Sequence, residues 1–122
     1  MSLTFPVEIV LKGRDHAVTL PVTVPHGQPS TWTDAAVRDV LVAILRAIDR
    51  VANPSADPNR PVVLQGFSWI VEPAADEVVL ALEIPMGAAV AGPFAIAQVD
   101  FDAMITRVLR SERRGSSSST VH

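Results

Sequence analysis

The chain has 122 residues, a formal net charge of −3 and no cysteine. This is one-domain size, and it excludes disulfides, thiolate catalysis and Cys-based zinc sites. Apolar residues make up 48% of the chain and charged residues only 19%, so either the core is well supplied or some apolar surface meets a partner.

Residues Phe5–Lys12 alternate. Phe5, Val7, Ile9 and Leu11 point one way, and Pro6, Glu8, Val10 and Lys12 the other, as in a half-buried strand. Pro6 lacks an N–H, so a start at Val7 is the alternative. Gly13-Arg14-Asp15 is a turn signal, and a second strand follows with Val18, Leu20, Val22 and Val24 inward. The two strands make a hairpin, and Pro21 puts the second at an edge or in a bulge. After a loop over Pro25–Ser30 comes the strongest helix signal. Thr31 is the expected cap, with Asp34 three residues on, and Val37, Val40, Leu41, Ile44, Ile48 and Val51 recur at helical spacing. Trp32 is placed to pack across the helix start. The helix ends near Ala52, because Asn53 precedes Pro54 and the residue before a proline disfavours the α region.

Asn53–Arg60 reads as a surface loop. Val62–Glu72 predicts a third strand, with Val63, Gln65, Phe67, Trp69 and Val71 on one face and Leu64, Gly66, Ser68 and Ile70 on the other. Pro73–Asp76 is a turn, and Val78–Met86 alternates as a fourth strand. The small apolar stretch Gly87–Gln98 reads as a loop followed by a short strand at Phe94–Ala97, with a short helix at Ala88–Ala91 as the alternative. Asp100 is the expected cap of a last helix striped by Phe101, Met104, Ile105, Val108 and Leu109. Residues 111–122 are polar and rich in glycine and serine, which predicts a disordered tail. Residues 1–110 are then one compact α+β domain: a single antiparallel or mixed sheet of four or five strands, two helices packed on one face, order ββαββ(β)α.

Chemistry-bearing groups are sparse. His16 and His26 stand alone, without the spacing of a metal site, so no metal and no cofactor is expected. His26-Gly27-Gln28 precedes a helix N-terminus, where an anion is favoured, but an ordinary loop is the better reading. Asp76 and Glu77 read as turn residues, and Asp100 and Asp102 as helix-start residues. No Gly-x-Ser-x-Gly elbow is present, and no catalytic residue is assigned. Arg107, Arg110, Arg113 and Arg114 form a short basic run; arginines near a helix C-terminus suit the macrodipole, so nucleic acid is not the expected partner.

The excess of apolar residues carries the functional expectation. Leu64 and Ile70, with Val10 and Val79 on neighbouring strands, are apolar on the side that an isolated layer leaves wet, and they form the expected contact surface. The leading reading is a non-enzymatic protein-interaction or assembly domain, homo-oligomeric as a dimer. The alternative is a small-molecule binder or modest enzyme with a pocket drawn from His26, Gln65, Trp69 and Glu83. The apolar window Ile84–Ala97 is too short and too interrupted to span a membrane. No basic residue precedes the first apolar stretch as in a signal peptide, and a cytoplasmic location is the default.

Overall fold

The computed structural model describes residues 2–55, 57, 62, 64 and 66–121, without the side chains of 113–121. Five strands and two long helices follow in the order β1 (Leu3–Leu11), β2 (Val18–Val24), α1 (Asp34–Ala52), β3 (Ser68–Ala74), β4 (Glu77–Ile84), β5 (Gly87–Phe94) and α2 (Gln98–Val121). The strands form one sheet in the order β2-β1-β5-β4-β3, and every neighbouring pair is antiparallel. This is an α+β fold, with both helices on one face.

Alternation explains the outer elements. Phe5, Val7, Ile9 and Leu11 of β1 are buried and the residues between them exposed. Strand β1 starts earlier than Pro6 suggested, because Pro6 faces Pro21 in the register. Neither proline has an N–H, so the two fit as a pair that exchanges no hydrogen bond. Each ring nitrogen then points away from the other strand. Pro21 thereby removes a donor from the free edge of β2, and Pro6 one from the side of β1 that meets β5, where the pairing stops at Val7↔Ala91.

Helix α1 buries Val37, Val40, Leu41, Ile44 and Ile48 together with Ala36, Leu45 and Ala47. Its cap is Thr33, not Thr31: the Thr33 side chain accepts from the Ala36 N–H at 3.3 Å. Thr31 lies in a 3-10 turn over Pro29–Thr31. Trp32 does pack across the helix start. Its Nε1–H donates to the Gly27 carbonyl at 3.1 Å, and its ring meets Phe94 at 5.3 Å and Phe101 at 5.9 Å. Phe5 closes this group edge-on to Phe94 at 4.9 Å.

The second half departs from the sequence expectation in three places. Strand β3 begins at Ser68 instead of Val62; Gly66 takes a φ of 78°, which ends an extended run. Gly87–Phe94 is the central strand of the sheet, neither a loop nor a helix. Its alanines and glycines have weak strand preference, but pairing with β1 on one side and β4 on the other outweighs it. Gly87 is required there by close approach, since a Cβ would strike the Val10 carbonyl oxygen. Helix α2 starts at Gln98, which places Asp100 in its first turn. Its stripe of Phe101, Met104, Ile105 and Val108 is buried as expected. The backbone stays helical to Val121 where a disordered tail was expected from Ser111, and Arg38 of α1 donates to Glu112 at 2.6 Å.

Candidate functional site

Burial divides the sheet into two faces. The face under the helices carries Val7, Ile9, Leu80, Leu82, Ala89 and Ala91, all nearly or fully inaccessible. The opposite face has no covering layer among the described residues. The strand register sets its side chains in rows. One row runs Thr19, Glu8, Val90, Ala81, Ile70 from the β2 edge to the β3 edge. The next runs Val10, Ala88, Glu83, Ser68. Val79 and Glu72 form a further pair beside the first row. Val10, Val90 and Ile70 are 42%, 43% and 51% exposed. An apolar stripe thus lies open across the middle of the sheet, and Glu8, Glu72 and Glu83 are the exposed acids on it.

A cleft of about 740 Å³ opens at one end of this face, lined in part by Val10, Lys12, Phe67, Ser68, Glu83 and Ala88. Lys12 is tied at its backbone, its N–H donating to the Met86 carbonyl at 2.8 Å. Neither the Lys12 nor the Glu83 side chain makes an ion pair or hydrogen bond among the described residues. The register sets them two strand spacings and two residues apart, about 12 Å between Cα atoms.

Three of the four expected contact residues, Val10, Ile70 and Val79, lie together on the open face. Leu64 does not: it precedes Gly66 and the start of β3, and its side chain is buried in the core at 5% exposure. Val90, Ala81 and Ala88, at the middle of the stripe, were missed. The expected pocket residues are not brought together. Gln65 lies outside the described residues. Trp69 packs half-buried on the helix side of β3, whereas Glu83 is exposed on the opposite side of β4. His26 follows β2, and Trp69 lies on β3 at the opposite edge of the sheet; the two strands are four spacings, about 19 Å, apart.

His26 has a different neighbour. Its Nε2 lies 2.8 Å from Asp39 Oδ2, an N–H to carboxylate bond that pins the loop to α1. No spacing signal in the sequence marks that pair. Arg107, from the basic run, binds Asp34 in a fork, with bonds of 2.9 and 2.8 Å from Nε and Nη2. The fork holds the Asp34 carboxyl below its ordinary value and the Arg107 guanidinium above its own, the paired hydrogen bonds being the largest cause of each. Asp34 stands at the N-terminus of α1, so the bond joins the two helices. Among the described residues no three His, Asp or Glu side chains gather as a metal site, and no helix is long and apolar enough to cross a membrane.

Compared with known protein families, with curated proteins and with solved structures, this chain matches none of them.

Proposed function

We propose that the chain is a cytoplasmic, non-enzymatic assembly domain that forms a homodimer by stacking two open sheet faces. The observation that carries this reading is the uncovered stripe of Val10, Ile70, Val79, Ala81, Ala88 and Val90. A single sheet layer with helices on one side ordinarily shows water a polar second face.

Size and edges favour a second copy of the same face over edge pairing. Five strands about 4.8 Å apart, each about 23 Å long, give a face of about 550 Å². Two copies would bury about 1,100 Å², close to the ~1,000 Å² that a specific interface needs. Both sheet edges are blunted. Pro21 removes a donor from β2. On β3, Gln98 Nε2 donates to the Val71 carbonyl at 2.8 Å, and Pro73 offers no N–H. An added strand would find those positions taken, whereas the face is free. Stacked sheets sit about 10 Å apart with their side chains interleaved.

Sedimentation velocity over a wide concentration range tests the reading. The expected result is a monomer–dimer equilibrium that Ile70→Lys shifts to monomer, by about tenfold or more, since a lysine charge cannot be buried unpaired. A wild-type chain that stays monomeric at the highest concentration overturns it.

A further inference from the structure

The dimer proposed above would need a particular orientation, and the charges on the face select one. A two-fold interface is self-complementary: when one residue meets another across it, the reverse contact forms too. The exposed acids of the open face are Glu8, Glu72 and Glu83, and the cation beside them is Lys12, which shares the cleft with Glu83. An axis lying across the strands lays each strand over its own copy. Centred on the row of Val90 it sets Glu8 against Glu8, centred on the row of Val10 it sets Glu83 against Glu83, and centred between the rows it sets Glu83 over Ala81 and carries Lys12 to the level of Pro6, where it meets no acid. Like charges facing each other in a closing interface oppose it.

An axis along the strands and over β5 sets no acid directly over an acid: Glu83 comes to lie over Val10 of the partner subunit, with Lys12 two residues to one side, toward which its carboxylate can turn, and Glu8 two residues to the other. Strand β5 is the middle strand of five, so such an axis lays β1 over β4 of the other copy. Lys12 then lies two residues along the strand, about 7 Å, and one sheet spacing, about 10 Å, from Glu83 of the partner subunit. The resulting Cα separation of about 12 Å is within the joint reach of a lysine and a glutamate. The apolar centre is kept, with Val90 over its own copy.

We propose that Lys12 of each copy pairs with Glu83 of the partner subunit, and that this reciprocal pair fixes the two-fold axis along the strands. The proposal rests on the face-to-face dimer and adds to it a partner for each of two charges that have none among the described residues of one chain. Formation of the pair closes the cleft from both sides.

Charge reversal in the full-length chain tests it. Lys12→Glu and Glu83→Lys are each expected to weaken self-association by about tenfold, and the double reversal to recover most of that loss. Raised salt is expected to weaken the wild-type dimer and the double variant alike. Both residues are exposed, and Lys12→Gln and Glu83→Gln serve as milder singles if a reversal disturbs the fold. Singles that associate like wild type, or a double variant as weak as its singles, overturn the pair. In that case a dimer still broken by Ile70→Lys leaves the face in place. A wild-type chain that is monomeric throughout overturns the face, and the pair with it.

Discussion

Phe94 has the most crowded position among the aromatic residues. Its ring meets Phe5 at 4.9 Å, Trp32 at 5.3 Å and Phe101 at 5.6 Å. It thereby joins β1, the turn before α1, the end of β5 and the first turn of α2. At 1% exposure it has no water to fall back on. Truncating it to alanine would remove the ring from water-free packing and leave a cavity that three rigid rings cannot collapse into. Phe94→Ala is therefore expected to cost about 3–5 kcal/mol in urea unfolding. A loss under about 1 kcal/mol would show that the cluster relaxes around the gap, which its edge-on geometry argues against.

At the scale of elements, the Asp34–Arg107 fork is the clearest tie between the helices. Both side chains are about half exposed, so the fork orients α2 on α1 more than it holds the fold together. Its sign with pH is fixed. The folded carboxyl is depressed below its ordinary value of 3.8, so the contribution is present above that value and lost as pH falls through the folded one. The melting temperatures of wild type and Asp34→Asn are thus expected to differ at neutral pH and to converge in acid as pH falls through the depressed folded value. A difference that is the same at both ends would mean that the loss comes from the helix start and not from the fork.

The elements also show what was legible in the sequence. β1, β2 and α1 were readable because each has one polar and one apolar side, and water decides which side is buried. β5 was not. Ala88-Ala89-Val90-Ala91 is apolar on both sides, since one side is core and the other is the open face, so its period is invisible. The strand is made by its two neighbours, which lie far away in sequence. Gly66 misplaced the start of β3 in the same way: alternation ran through it from Val62, while the backbone turns there. The open face was half legible. Val10, Ile70 and Val79 could be found as apolar residues on a wet side, but Val90 fell within a supposed loop, and Leu64 lay upstream of the kink. His26, Trp69 and Glu83 were not brought together for a related reason. Which strands become neighbours is settled by β5 entering between β1 and β4, and nothing local in the sequence announces it.

For the whole molecule, exposure alone is a poor guide to where a partner binds. Val99, at 78%, is the most exposed large apolar residue described. It stands on α2 with acidic or polar neighbours Gln98, Asp100 and Asp102, and single apolar residues of this kind are ordinary on protein surfaces. Val90, at 43%, is less exposed but sits at the centre of a contiguous stripe, where burial against a second copy would be most complete. The two positions therefore make a matched pair. Val99→Lys is expected to leave the sedimentation coefficient unchanged at every concentration. Val90→Lys is expected to abolish the dimer while leaving the unfolding free energy within about 0.5 kcal/mol of wild type, because both substitutions face solvent in the monomer. If the Val99 variant lost the dimer and the Val90 variant kept it, the interface would lie on α2, and the open sheet face would have to be understood as a surface that water wets despite its composition.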